Sequence, residues 1–230
     1  IRKADGRLAV HTAAGAIFTA DQVVHAAGRV PDIEDLGLNS AGIEHGRAGI
    51  AVDAHMRTSN PNVFAIGDCA ATIQLARVAD FAGRAAARNV LADLGRAKRM
   101  SVGYEAVPAV LFTYPQLAMV GKTEAALQQQ QTPYRKSAAQ NLRWPTYRRV
   151  GLPHAAYKIL VGEDGRFLGA HFLSDSTAGM LNTLRLAMIN RLTVEQLYEQ
   201  SIVGPYPTRE SDLIYMLKPL LPEPGSDAPQ

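Results

Sequence analysis

A glycine followed by an aspartate, Gly67-Asp68, closes the apolar run Val63-Phe64-Ala65-Ile66. A carboxylate delivered to the end of a buried strand can accept hydrogen bonds from a sugar hydroxyl, and a glycine beside it lets backbone approach a phosphate closely. The competing reading is an aspartate that simply turns a loop after a strand. Next to it, Cys69 is the only cysteine of the chain. With no second thiol to pair with, it reads as a small buried residue rather than a nucleophile. The six histidines (His11, His25, His45, His55, His154 and His171) lack metal-ligand spacing, and no metal is expected. His25 reads as a packed strand residue. Arg135-Lys136, Arg143-Trp144 and Tyr147-Arg148-Arg149 interleave cations with rings. Such a stretch can bind single-stranded nucleic acid or an anionic substrate. A solvated loop between strands or a dimer-surface segment is the commoner use, so nucleic acid is not the expected partner.

The elements that must position these residues alternate in style. Arg7–His11 and Ala16–Thr19 flank Ala13-Ala14-Gly15 as a hairpin, and Gln22–Ala26 reads as a further strand ended by Gly28. Pro31 to His45 is loop-rich. Ile50–Val52 and Val63–Ile66 read as strands, and Val78–Leu94 as an Ala- and Arg-rich helix stopped by Gly95. After the basic linker Gly95–Arg99 come a strand over Val107–Phe112 and a helix opened by Thr123-Glu124. Ala156–Val161 and Phe167–Leu173 form a hairpin around an Asp-Gly turn. Ser176–Asn190 has helical spacing of Met180, Leu184, Ala187 and Met188. Thr193 with Gln196 is a capping box, and Thr208 can cap a last helix that ends before Pro219. Glu223–Gln230 is Pro/Gly/Ser-rich and expected to be disordered.

Bulk composition narrows the class. The chain has 230 residues, 47% of them hydrophobic and 20% charged, with a net charge of +3. That suffices for one good core or two modest ones, and the small charge excess makes no phosphate-binding field by itself. Apolar runs are only a few residues long, too short to span a membrane. A single cysteine fits a reducing compartment, so a cytoplasmic location is expected. No signal peptide is visible, and Ile1 is not a natural start, which suggests a truncated or processed chain.

Several short segments, taken in order, resemble a known family. They are Val24-His-Ala-Ala-Gly-Arg-Val-Pro31, Arg57-Thr-Ser-Asn-Pro-Asn-Val-Phe-Ala-Ile-Gly-Asp68, Leu111-Phe-Thr-Tyr-Pro115 and Val120-Gly-Lys-Thr-Glu124. Together they are similar to the carboxyl-terminal half of the class I pyridine nucleotide-disulfide oxidoreductases, the flavoprotein family of glutathione reductase, dihydrolipoamide dehydrogenase and mercuric reductase. The match runs from about Asp5 to Leu221. The resemblance implies an α+β dimerisation domain, an antiparallel sheet with helices, preceded by carboxyl-terminal pieces of Rossmann-like NAD(P)- and FAD-binding domains. The implied boundaries are 1–48 for the end of the NAD(P) domain, 49–102 for the end of the FAD domain, 103–222 for the dimerisation domain and 223–230 for the tail.

The resemblance also implies roles. Asp68, with Gly67, would accept from the ribityl chain of FAD. The amino end of the following helix would face the flavin ring, and its free N–H groups would stabilise negative charge there. Leu75-Ala-Arg-Val-Ala79 fills a segment that is often Leu-Thr-Pro-Val-Ala, so a backbone N–H at Ala76 survives where a side-chain contact would not. Gly28 and Arg29 would flank the nicotinamide nucleotide, the alternative being a solvated arginine after a turn. The family's His-Pro-Thr-x-x-Glu, which carries the acid/base histidine, is here Tyr206-Pro-Thr-Arg-Glu-Ser211. A tyrosine, with an ordinary pKa of about 10, donates a proton readily but is a poor base at neutral pH. Glu210 stands one position early, rotated about 100° around a helix. Mercuric reductases and the soluble transhydrogenase carry Tyr at this place, which argues against glutathione reductase and dihydrolipoamide dehydrogenase proper. The alternative for Tyr206 is packing at a dimer interface. The tail lacks the paired cysteines of mercuric reductase.

The expected activity is therefore that of an FAD-dependent NAD(P)H oxidoreductase, acting as a homodimer on a small-molecule substrate. The glycine-rich nucleotide loops and the Cys-x4-Cys redox pair are missing from these residues. The chain on its own is expected to be inactive, with the first hundred residues short of sheet partners. The alternative is a cofactor-free homodimerisation module.

Overall fold

The structure is a computed structural model, and it describes residues 1–4 and 6–222. Two compact units divide the chain, Ile1–Gly103 and a second from Tyr104 onward. The expected tail disorder falls outside the described residues.

In the first unit, β1 (Arg2–Ala4), β2 (Arg7–His11) and β3 (Ile17–Ala20) form an antiparallel meander in that order. The β2–β3 turn is the expected hairpin, with Gly15 at φ +83° where a left-handed residue is needed. The strand expected over Gln22–Ala26 is absent, and His25 is exposed rather than packed. Ile50–Val52 shrinks to a two-residue pairing of β4 (His45–Gly46) with β5 (Gly49–Ile50). Val63–Ile66 is not a strand either. Its only bridge joins Phe64 to Arg57 in a short loop-back, where Val63 N–H reaches Asn60 O at 3.0 Å and Thr58 N–H reaches Val63 O at 3.0 Å. The cause is common to all three segments. A strand is defined by partners, and among the described residues Gln22–Ala26 and Val63–Ile66 find no ladder, while Ile50–Val52 finds only the two residues of β4. One parallel bridge, Ile50 to Ala70, joins β5 to the turn after Asp68.

A small core nevertheless forms from Ile33, Leu38, Ile43, Ile50, Ala65 and Ala70, with Val52, Val63 and Cys69 against it. Cys69 is half-buried, less enclosed than its sequence suggested. Helix α1 (Ala76–Asp93) buries Val78, Ala82, Ala85, Ala86 and Asn89 along one face. It ends as its sequence demands. Gly95 at φ +70° donates to Ala92 O and Arg96 donates to Leu91 O, which together close the last turn.

The second unit is a five-stranded antiparallel sheet with helices packed against it. Its strands are β6 (Ala109–Leu111), β7 (Gln116–Gly121), β8 (Arg135–Gln140), β9 (Ala156–Val161) and β10 (Phe167–Ser174), in the spatial order β6-β7-β10-β9-β8. Helices α2 (Glu124–Gln129), α3 (Pro145–Arg149), α4 (Ala178–Ile189), α5 (Val194–Ser201) and α6 (Leu213–Leu217) complete it. One contiguous core joins Ala118, Val120, Tyr157, Ile159, Val161, Ala170 and Phe172 of the sheet to Met180, Leu184, Leu213 and Leu217 of the helices. At about 25 cal/mol per Å² of apolar surface, this burial is the main driving force of the unit.

Turn chemistry does the rest. Thr123 accepts from Ala126 N–H at 3.1 Å, and Thr193 with Gln196 forms the complete capping box. Between β9 and β10, Gly165 takes the left-handed position at φ +73°. Along β10 the pairing to β9 slips by one residue between Phe167 and Gly169, a bulge. Phe167, Ala170 and Phe172 therefore all reach the core, a spacing that strict alternation forbids.

Candidate functional site

Asp68 sits in a single 3-10 turn, Gly67–Cys69, at the end of the chain segment that passes under α1. Gly67 takes φ +68°, a left-handed conformation, and a Cβ there would stand 3.5 Å from Ala79 Cβ. Gly83 of α1 approaches Ile66 just as closely, with room for a Cβ only 3.2 Å from Ile66 Cδ1. Small residues at 67, 76, 79 and 83 thus set the turn against the first half of the helix. The Asp68 side chain is half-exposed, and Arg29 Nη1 lies 3.4 Å from its Oδ2. Gln74 Nε2 ties the turn to the helix start by donating to Asp68 O at 3.3 Å.

Helix α1 begins at Ala76, two residues earlier than the sequence pattern suggested, with Leu75 as its N-cap. Leucine has no oxygen with which to cap, so none of the first N–H groups is satisfied from that side chain. The first intrahelical bond runs from Ala79 N–H to Leu75 O at 2.9 Å. An uncapped helix start, a carboxylate and a guanidinium are thereby gathered in one unit. Gly28, at φ +103°, holds the turn that presents Arg29. The structure thus links Arg29 to Asp68, a pairing that no motif in the chain indicates.

Tyr206 lies in the second unit, with its ring about two-thirds exposed at 66%. Its loop is closed locally. Thr208 N–H donates to Ser211 Oγ at 3.2 Å, Ser211 N–H donates to Thr208 Oγ1 at 3.2 Å, and Ser211 Oγ donates to Thr208 O at 2.6 Å. Thr208 thereby braces the 3-10 turn Glu210–Asp212 that leads into α6, while the N-cap position of that turn is Arg209, whose side chain makes no capping bond. Glu210 points elsewhere. Its carboxylate rests on Gly179 in the first turn of α4, where an added Cβ would fall 1.8 Å from Oε1.

Behind this loop stands a network that the sequence did not announce. Arg209 is buried and grips Asp175 with two parallel bonds, Nε to Oδ1 at 2.7 Å and Nη2 to Oδ2 at 2.9 Å. Arg209 holds the Asp175 carboxyl below the usual range. Burial opposes the charge on Arg209 itself, but Asp175 outweighs it and the guanidinium titrates higher than normal. Tyr147, fully buried under Arg209, is pushed up to about 12, mainly by burial. Asp212 is also buried, accepts a hydrogen bond from Thr146, and is pushed up by burial. Trp144 stacks obliquely on Tyr147, Tyr157 and Tyr215. The rings of the basic, aromatic stretch are thus packed inward, which leaves no stacking platform for bases at Tyr147. Among the described residues no group of three or more His, Cys, Asp or Glu could hold a metal.

An antiparallel sheet roofed by helices, following a glycine-aspartate turn at a helix start, defines an α+β domain attached to nucleotide-binding elements. Family models agree: residues 1–83 match the pyridine nucleotide-disulphide oxidoreductase model and residues 107–214 match the dimerisation domain of the same family. The chain belongs to the pyridine nucleotide-disulphide oxidoreductases, a flavoprotein family. It is 33% identical over 187 residues to the dihydrolipoyl dehydrogenase of Chlamydia trachomatis, covering 78% of this chain and 38% of that enzyme. It is 31% identical to the uncharacterized 19.7 kDa protein of the mercuric resistance operon of Staphylococcus aureus, covering 79% of this chain and 100% of that protein. Among solved structures, the HOCl-induced flavoprotein disulfide reductase RclA from Escherichia coli superposes with a TM-score of 0.79 at 23% identity, over 94% of this chain and 48% of that one. The chain thus spans less than half the length of the dehydrogenase and of the reductase it matches. No helix among the described residues is long and apolar enough to cross a membrane.

Proposed function

We propose that these residues serve as the carboxyl-terminal portion of an FAD-dependent NAD(P)H oxidoreductase that works as a cytoplasmic homodimer. The observation that carries this reading is the arrangement at Asp68, a half-exposed carboxylate beside the uncapped start of α1. The residues fit a flavin. Asp68 would accept hydrogen bonds from ribityl hydroxyls, and the left-handed Gly67, packed close to Ala79, supplies the turn that presents it. The Ala76 N–H and its neighbours in the first turn of α1 stabilise negative charge on the ring. Gly28 and Arg29 would flank the nicotinamide nucleotide, and Arg29 also serves as a counter-ion to Asp68. Bound FAD supplies hydride acceptance from the nicotinamide and onward electron transfer. In the dimerisation domain, Tyr206 presents an exposed phenol that donates a proton to a small-molecule acceptor in the partner's active site.

Residues 1–48 close the NAD(P) domain, 49–102 close the FAD domain, and 103–222 form the dimerisation domain. The alternative, a cofactor-free homodimerisation module, draws on the contrast between the single large core of the second unit and the small one of the first. An absorbance spectrum of the purified chain from about 300 to about 550 nm, with an intact-mass measurement, separates the two readings. A band near about 450 nm that disappears in Asp68→Ala supports flavin binding by these residues. A colourless chain that is still colourless after incubation with FAD and removal of the unbound flavin, yet dimerises, supports the module instead.

A further inference from the structure

His171 lies on β10 with Lys158 opposite it on β9 and Met119 opposite it on β7. It is on the sheet face away from α4 and α6. Both its ring nitrogens are buried and, among the described residues, neither has a hydrogen-bond partner. A neutral imidazole carries one N–H donor and one acceptor, so this ring already forgoes bonds that water would supply. Burial and the Lys158 ammonium both disfavour its protonation. The Lys158 backbone and the Glu124 carboxylate offset this only in part.

The surroundings explain why a proton there would be disruptive. Helix α2 docks over this face through the fully buried Leu127 and through Glu124, its first residue. Glu124 accepts from Lys136 Nζ at 2.7 Å, from Lys158 Nζ at 2.5 Å and from the Tyr134 hydroxyl at 2.9 Å. Gln128 Nε2 donates to the Tyr134 oxygen at 3.2 Å. The charged and titratable groups on this patch are therefore Glu124 from α2, Tyr134 from the loop before β8, Lys136 from β8 and Lys158 from β9. β7 brings Met119 opposite the ring, and Lys122, just past β7, donates from Nζ to Gln130 Oε1 at the other end of α2 at 2.8 Å. The one carboxylate is taken by three donors. An opening of about 450 Å³ runs between α2 and the sheet, lined by Thr123, Glu124, Ala125, Gln128, Lys158 and His171.

We propose that His171 is an acid-sensitive release for α2: a proton on its imidazole loosens the helix from this face of the sheet. An imidazolium has two N–H donors and no acceptor. In its present place it would meet a lysine ammonium across the strand and a carboxylate already shared by two lysines and a tyrosine. Water must then reach the ring, and the opening beside α2 is the route. The sign follows from linkage. A histidine whose folded form resists protonation leaves stability untouched above about pH 6.5, and removes it as pH falls from there to the folded midpoint.

The test is a two-dimensional NMR titration of the whole 230-residue chain from about pH 7.5 to about pH 5, with the His171 ring assigned through its own backbone. The expected result is a ring midpoint below about 6.5, together with a falling protection factor for the Leu127 amide. That amide bonds to Thr123 O at 3.1 Å in the docked helix. Protection should drop up to about tenfold for each unit by which the midpoint lies below the ordinary value. In His171→Leu the Leu127 protection should no longer respond to this pH range. A His171 midpoint at or above about 6.5, or unchanged Leu127 protection in the wild-type chain, overturns the proposal.

Discussion

The guanidinium carbon of Arg209 stands 4.0 Å from the centroid of the Tyr147 ring. Stacked on that ring and clamped by Asp175, Arg209 turns a position inside the Tyr206 loop into a structural bolt. A stacked, bidentate arginine cannot be replaced by lysine without loss, because an ammonium offers neither the plane nor the fork. Asp175→Asn should lower stability of the second unit by about 3 kcal/mol, since it leaves the buried Arg209 charge without its counter-ion, and Arg209→Lys should lower it by less, since the charge stays and only the fork and the stacked plane are lost. Chemical denaturation of the chain, followed by the fluorescence of Trp144, checks this. A joint Arg209→Met, Asp175→Leu variant should recover most of the loss.

Gly169 marks the tightest backbone approach in the sheet. A Cβ there would fall 2.0 Å from Lys122 O, a backbone atom that cannot swing away. Gly169→Ala should therefore cost about 1–3 kcal/mol through strain in the β7–β10 pairing. The urea midpoint of the same transition reads it. An unchanged midpoint would mean that Lys122 moves freely.

In the first unit, Asn89 of α1 is fully buried and makes three hydrogen bonds. It donates to His55 O at 2.9 Å and to Met100 O at 2.8 Å, and accepts from Met100 N–H at 2.8 Å. Asn89→Ala should destabilise this unit by about 2 kcal/mol. Hydrogen exchange should report the loss in α1, while α4 and β10 of the second unit keep their protection.

Glu124 makes the acid response of the chain biphasic. Lys136, then Lys158 and the Tyr134 hydroxyl, draw its carboxyl down to about 2. Its contribution to stability is complete above the ordinary glutamate range and disappears as pH falls through about 2. Thermal unfolding measured from neutral to strongly acid pH should show this loss below about pH 4.5, distinct from the histidine window at higher pH. Glu124→Gln should flatten the lower step and move the upper one to lower pH, because the carboxylate favours the imidazolium.

How far the residue pattern revealed the fold depended on where partners lay. In the second unit the Asp-Gly hairpin, the Thr193–Gln196 box and the Thr123 cap are all local devices, and each stands where its sequence indicated. In the first unit Val63–Ile66 carries the composition of a buried strand but no ladder, because pairing is a non-local property that composition does not contain. The candidate site divides in the same way. Asp68, Gly67 and Ala76 are neighbours through a short stretch of chain and could be grouped by motif. Arg209 and Asp175 lie 34 positions apart and share no motif, so only the folded chain unites them. Tyr147, read as part of a basic surface stretch, is buried because its ring completes the Trp144 cluster; charge on its neighbours concealed this.

The bulge in β10 carries an implication for chain length. Leu168 is the supernumerary residue, and its bulging lets Phe167 share a face with Ala170 and Phe172. Removing that single residue would let Gly169 follow Phe167 directly in the ladder, with Phe167 two positions from Ala170 and still on the core face opposite Val161. The cost of a shorter hairpin would fall outside the core instead, on the Lys122 N–H, which would lose the Leu168 carbonyl that accepts from it at 2.8 Å.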